Sequence, residues 1–240
     1  MTQPLPRRRL GFVPFEARRR LGRHRQSQTS LAGAPTIAGS AWKRRFDVVF
    51  AAAVLLALAP LLLLIAAGLL IADGRPIFYS QRRIGRNGQM FSCLKFRSMV
   101  KDADAQLQAL LASSPSCRAE WDETQKLRSD PRIHWMGRIL RKTSLDELPQ
   151  FINVLRGDMS VVGPRPIVQS EVARYGQDFA HYKSVRPGVT GLWQVSGRNE
   201  LSYNERVALD VRYASNVSFS EDLRIISKTV GIVALGTGDH

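Results

Sequence analysis

Twenty-five consecutive residues, from Val48 to Ala72, carry neither charge nor a hydrogen-bonding side chain. About 20 such residues suffice for a helix to cross the roughly 30 Å hydrocarbon of a bilayer, so the run predicts a membrane-inserted helix. Pro60 divides it into two stretches of 12 residues. The proline ring removes an interior hydrogen bond and disfavours helical geometry at Ala59, costing about 3 kcal/mol unless the helix bends there. Twelve residues make roughly 18 Å of helix, too little to cross alone. Cations flank both ends: Lys43, Arg44 and Arg45 before, Arg75, Arg82, Arg83 and Arg86 after. A spanning helix shows asymmetric flanks. The charges therefore favour a helix that breaks at Ala59-Pro60 and returns to the side it entered, with a kinked span as the alternative. Ala57-Leu58-Ala59 has the look of a signal-peptidase site, but the apolar run continues past it and Pro60 would follow the cut.

The formal charge of +15 is concentrated at one end. Residues 1–45 hold 11 of the 35 Arg/Lys and one of the 20 acids. Residues 1–40, rich in Arg, Pro, Gly and Ser, read as a disordered basic arm drawn to anionic lipid, with Trp42 as an interfacial anchor. A basic nucleic-acid module is the rival reading of the same charge, but no reader motif accompanies it, so no nucleic-acid partner is expected. Cys93 and Cys117 stand far apart, and the four histidines are scattered. A structural zinc site, a disulfide framework and an imidazole-centred triad therefore have no support.

Asp146 and Glu147 sit in the run Ser144-Leu145-Asp146-Glu147-Leu148-Pro149-Gln150, and Gly163-Pro164-Arg165-Pro166 follows. Ser144 with Glu147 three residues on reads as a capping box, which would place both acids in a first helical turn among unpaired N–H groups. Surface caps of this kind contribute about 1 kcal/mol and need no further purpose. Pro149 leaves the register open, with Ser144 or Asp146 as cap. Arg165, held between two prolines, presents a planar fork of donors suited to a phosphate.

Short β-prone runs around Ile77–Ser80 and Phe91–Phe96, joined through Gly85-Arg86-Asn87-Gly88, predict a hairpin. Its second strand places Lys95 and Arg97 on one face, as a phosphate site or as a charged strand edge. Helices are predicted over 101–127, 133–141, 167–184, 202–215 and 221–235, the last docking on a membrane surface. Asp102-Ala103-Asp104 reads as a helix start and not as a nucleotide-sugar metal motif, because no βαβ series surrounds it. Arg186-Pro187-Gly188 and Gly197-Arg198-Asn199 imply tight turns near a site or a packing contact. The fold class is α+β, mainly α, divided into the arm (1–40), the re-entrant membrane helix (41–73), a compact helical catalytic domain carrying the hairpin and interfacial amphipathic helices (74–236), and a tail (237–240).

Together these segments resemble the bacterial polyprenyl-phosphate sugar-1-phosphate transferases, small monotopic enzymes that begin exopolysaccharide and related glycan assembly. The resemblance covers roughly residues 42–236. It rests on Lys43-Arg44 and Asp47 leading into the Pro-broken helix, Lys95-Phe96-Arg97-Ser98-Met99, Arg141 with Ser144 to Gln150, Gly163 to Pro166, and Arg186 to Asn199. It implies transfer of sugar-1-phosphate from a UDP-sugar to undecaprenyl phosphate, with release of UMP. Asp146 would be the nucleophile, forming a phosphosugar-aspartyl intermediate, and Glu147 its assistant. Lys95, Arg97, Arg141, Arg165, Arg186 and Arg198 would bind phosphate or substrate. Mg²⁺ on Asp146 and Glu147 fits the residue supply, because this ion needs few carboxylates beside substrate oxygens and water. The resemblance further implies the inner, cytoplasmic membrane, with the catalytic domain on its cytoplasmic face. The likeness is nearest to galactosyl- and glucosyl-phosphate transferases, so UDP-galactose is expected first and UDP-glucose second. A homo-oligomer stays open, as does an inactive scaffold, against which the presence of both acids argues.

Overall fold

Ser40 accepts a bond from the Lys43 N–H at 3.2 Å, which caps helix α1 (Ala41–Ala57). The computed structural model describes residues 40–124, 127, 129–197 and 200–235. The basic arm up to residue 39, Arg198 and the tail lie outside them. Helix α1 stops at Leu58, and α2 (Ala59–Asp73) leaves it at a bend of 62°. The break thus falls at Leu58, one residue before the expected Ala59-Pro60. Pro60 becomes the second residue of the new helix, where its missing N–H would have had no partner. Among the described residues no single helix is long and apolar enough to cross a membrane; the bent pair together meets that length and composition.

The two helices differ in what they bury. Ala51 of α1 is fully buried and shares a core with Phe151, Val154, Met159 and Val161. At its base, Lys43 lies 3.0 Å from Asp47 and 2.8 Å from Asp222, all three buried. Asp47 also accepts bonds from Ser160 Oγ (3.0 Å) and the Val161 N–H (3.1 Å). A buried ionic group is tolerated only with such satisfaction. Helix α2 buries little beyond Ile65 and Leu69, against Phe96 and Leu140, and leaves Leu63, Leu64 and Ile71 at least 70% exposed.

Strands β1 (Phe78–Ile84) and β2 (Met90–Phe96) form the antiparallel hairpin. Its turn has Asn87 and Gly88 at φ of 59° and 77°, the left-handed geometry that Asn-Gly favours. The predicted 101–127 helix is two, α3 (Ala103–Ser113) and α4 (Pro115–Thr124), because Pro115 cannot continue the first. Helix α5 (Trp135–Lys142) is capped by His134 Nδ1, which accepts the Gly137 N–H at 3.0 Å.

The capping box at Ser144 does not form. Ser144 is left-handed (φ 56°), its side chain caps nothing, and Leu145–Glu147 make a single 3₁₀ turn. Helix α6 (Gln150–Arg156) begins only after Pro149, which lacks the N–H needed to run one helix through from Ser144. Within α6 the fully buried Asn153 accepts the Leu94 N–H (2.9 Å) and donates to Ser92 O (2.8 Å), which locks the helix to β2.

A parallel pair, β3 (Ser160–Val162) with β4 (Gly188–Thr190), had no expectation from the sequence. Gly163 and Gly188 allow it, since a Cβ on either would strike the other segment's backbone. The expected 167–184 helix is interrupted. Short helices α7 (Val172–Tyr175) and α8 (Phe179–Ser184) are separated at Gly176, whose φ is 51°. Helix α9 (Tyr203–Ser215) starts on a Ser202/Glu205 capping box, and α10 (Phe219–Leu235) completes the unit.

Candidate active site

The 3₁₀ turn, and not an α-helix, presents the paired acids. Asp146 is 7% exposed and Glu147 half-buried. Lys95 reaches both: its Nζ is 2.6 Å from Glu147 Oε1 and 3.8 Å from Asp146 Oδ2. The hairpin supplies that lysine by its register. Gln81 pairs with Cys93 and Arg83 with Phe91, so one face carries Arg83, Cys93 and Lys95 in alternation.

These side chains, with Glu147, Gln150, Arg165, Val189 and Gln194, line a shallow open cleft. Arg165 is exposed on its wall, with its guanidinium 6.0 Å from the Trp193 ring. The backbone behind it is fixed, because Arg83 Nη1 donates to Pro166 O at 2.9 Å. Arg141 lies within electrostatic reach of Asp146 and donates from Nε to Ser98 Oγ at 2.8 Å.

Burial raises the Asp146 carboxyl to about 6; Lys95 opposes the rise, Glu147 adds to it, and Arg141 opposes it. The group is thus ionised at neutral pH but poorly compensated, a state suited to a nucleophile or a cation ligand. Burial also pushes the Cys93 thiol up, which keeps it protonated and unreactive.

The structure brings Asp146, Glu147, Lys95, Arg141 and Arg165 together. Two other expected cations point elsewhere. Arg97 leaves the strand end for the C-terminus of α2, bonding Asp73 Oδ2 (2.7 Å), Asp73 O (3.0 Å) and Gly74 O (2.8 Å). Arg186 donates to Gly157 O (2.8 Å) beyond the far end of α6 and borders a separate cleft with Lys43 and Asp47. Helix C-termini attract arginines in this way. Sequence reasoning gave Arg83 and Gln150 no site role. Arg83 could have been found by extending the period-2 pattern of the hairpin back from Lys95. Among the described residues no cluster of three or more His, Cys, Asp or Glu side chains could hold a metal alone.

Buried Asp146 and half-buried Glu147, bridged by one lysine beside a cleft walled by arginine, make a site suited to phosphate esters. Residues 38–236 match the bacterial sugar transferase family, and the chain belongs to it. It is 50% identical over 202 residues to the exopolysaccharide production protein ExoY of Sinorhizobium fredii, covering 84% of this chain and 89% of that one. The undecaprenyl-phosphate galactose phosphotransferase of Salmonella typhimurium is 49% identical over 198 residues, which are 82% of this chain and 41% of that longer protein. The UDP-glucose:undecaprenyl-phosphate glucose-1-phosphate transferase of Caulobacter vibrioides is 39% identical over 206 residues, 82% of this chain and 71% of that protein.

Proposed function

We propose that this chain transfers hexose-1-phosphate from a UDP-sugar, galactose before glucose, to undecaprenyl phosphate as the first membrane step of exopolysaccharide synthesis. The observation that carries the reading is the buried Asp146, ionised yet undercompensated, beside Lys95 and Glu147 at the cleft that Arg165 overlooks. Asp146 attacks the phosphorus next to the sugar, the bond to the UMP phosphate breaks, and UMP leaves. An oxygen of the lipid phosphate then attacks the same phosphorus and returns Asp146 as carboxylate. A carboxylate suits both halves because the acyl phosphate stays reactive. Lys95 and Arg165 offset charge that builds on the phosphoryl oxygens, with Arg141 behind Asp146.

Asp146 and Glu147 fit a Mg²⁺ ion. Two adjacent carboxylates that share a single lysine are a donor set that substrate oxygens and water would complete. When bound, Mg²⁺ supplies positive charge to the diphosphate.

The membrane reading, α1 and α2 entering and returning on the cytoplasmic face, draws on the exposed apolar side chains. Val49, Leu56, Leu63, Leu64 and Ile71 on α1 and α2 are each 69–88% exposed. Trp135 and Ile139 on α5, and Val230, Val233 and Leu235 on α10, are exposed as well. Water would penalise such a surface by about 25 cal/mol per Å², whereas lipid would not.

The test is a panel of radiolabelled UDP-sugars with undecaprenyl phosphate and Mg²⁺ in membranes. Label entering the lipid phase is expected with UDP-galactose and is lost in Asp146→Asn; substantial turnover by that variant refutes the nucleophile. Chelation with EDTA is expected to stop transfer.

A further inference from the structure

Tyr182 is 1% exposed, and its hydroxyl occupies an unusual place. Ile84, at the end of β1, and Ile167, directly after Pro166, form an antiparallel bridge in which the Ile84 N–H donates to Ile167 O at 2.9 Å. An antiparallel pair of this type normally exchanges a second bond, from the Ile167 N–H to Ile84 O. Here the Tyr182 hydroxyl stands between them. It accepts the Ile167 N–H at 3.2 Å and donates to Ile84 O at 2.7 Å. One oxygen atom thus spaces the strand end from the loop, two residues after Arg165.

The ring that carries this hydroxyl is held on several sides. Tyr175 meets it edge-on with centroids 5.2 Å apart, and Phe179 stacks on it at 5.9 Å. Tyr175 is fixed in turn by donating to Asp210 Oδ2 at 2.7 Å. From the opposite side Arg83 grips Pro166 O. The segment Arg165-Pro166-Ile167 is therefore set by main-chain contacts on two flanks, while the Arg165 side chain itself stays exposed in the cleft.

We propose that Tyr182 is a positioning residue for sugar-phosphate transfer, its inserted hydroxyl fixing the main chain from which Arg165 reaches the phosphates. The inference rests on the reading of Arg165 as a phosphate donor given above. Without the hydroxyl, the Ile167 N–H and Ile84 O can close on each other directly, which saves the hydrogen bond but draws the loop toward β1. A buried tyrosine that merely filled the core would act on stability instead. Displacing a catalytic group by about 1 Å can cost about 10²-fold in rate, so the two roles separate.

The experiment is a double-mutant cycle of Tyr182→Phe and Arg165→Lys, read as UMP release from UDP-galactose with undecaprenyl phosphate in nanodiscs, per mole of folded protein. Arg165→Lys is expected to lower kcat about 10²-fold, the scale for losing a preorganised donor to a developing oxyanion. Tyr182→Phe alone should lower it about tenfold, on the scale of a sub-ångström displacement, with little change in KM or melting temperature. The double variant should fall within about threefold of Arg165→Lys, because residues acting through one another are not additive. Thr229→Val, which removes the α10 hydroxyl that lies 2.7 Å from Thr190 Oγ1 of β4, serves as the control and should leave kcat unchanged. A double variant about 10³-fold down, the product of the single effects, overturns the positioning role. Full activity in Arg165→Lys overturns the reading of Arg165 itself, and the inference with it. Should Tyr182→Phe fail to fold, Arg83→Lys, which loosens Pro166 from the other flank, replaces it in the same cycle with the same expected coupling.

Discussion

Asp146→Asn should make the protein more stable while it destroys turnover, and the size of the gain can be worked from the site. Folding moves the Asp146 carboxyl from an ordinary value of 3.8 to about 6, chiefly by burial. A group whose folded value lies above its unfolded one gives up stability as pH rises. Below 3.8 the carboxyl is protonated in both states and nothing is lost. Between 3.8 and 6 the folded protein holds a proton that the unfolded chain has released, so stability falls with pH. Above 6 the loss is complete, at about 1.36 kcal/mol per pH unit or about 3 kcal/mol in total. Asparagine resembles the neutral acid and avoids this penalty. At pH 7.5 the variant should therefore melt about 6–12 °C above the parent, given about 2–4 °C per kcal/mol for a chain of this size. The advantage should shrink through pH 6 and vanish near pH 4. Tryptophan fluorescence during thermal unfolding in nanodiscs, at half-unit steps from pH 4 to 8, measures both curves. An asparagine variant less stable than the parent at pH 7.5, or one whose advantage does not change with pH, refutes the claim that Asp146 is held ionised against its burial.

Other outcomes follow from the same contacts. Lys95→Met removes the cation that most lowers the Asp146 carboxyl. On the proposal that Asp146 attacks as carboxylate, the acidic limb of the rate profile should move above pH 6; an unmoved limb would place that limb on another group. Reporter tags before residue 40 and after residue 240 should fall on the same side of the membrane, and opposite sides would establish a kinked span. Gly137→Ala would drive a Cβ into the Ser98 carbonyl, so a loss of about 2–3 kcal/mol in denaturant titration is expected.

Local patterns in the sequence led to the elements that depend on local chemistry. Asn87-Gly88 announced the hairpin turn, and the uncharged run with Pro60 the bent pair. Asp146, Glu147, Lys95, Arg141 and Arg165 each sit in a short motif, and the structure gathers them in one place. Long-range contacts were not legible. Arg97 has the alternation of a site residue, but its partner Asp73 is 24 positions away across a helix end. The β3–β4 pair joins two three-residue runs, too short for periodicity to register, and depends on Gly163 and Gly188 touching. Ser144 fitted a capping box until Pro149, five residues on, denied the helix its bond. Tyr182 lay in a plain helical stretch with no signal that its hydroxyl bridges residues 84 and 167.

The ionic knot of Lys43, Asp47 and Asp222 turns α1 into a depth gauge. Eleven positions separate Asp47 from the break at Leu58, about 16 Å of helix. Because the lower end is clamped to β3 and α10, that distance cannot be adjusted by tilting. On the membrane reading it sets how far the apolar hook reaches and how high the carboxylates ride above the headgroups. One extra residue in this stretch would advance the bend by about 1.5 Å and swing α2 by about 100°, out of its seat, where Gly68 lies against Met136 of α5. The length of this segment is thus as tightly specified as its composition, and a single inserted alanine, however apolar, should be worse tolerated than several substitutions.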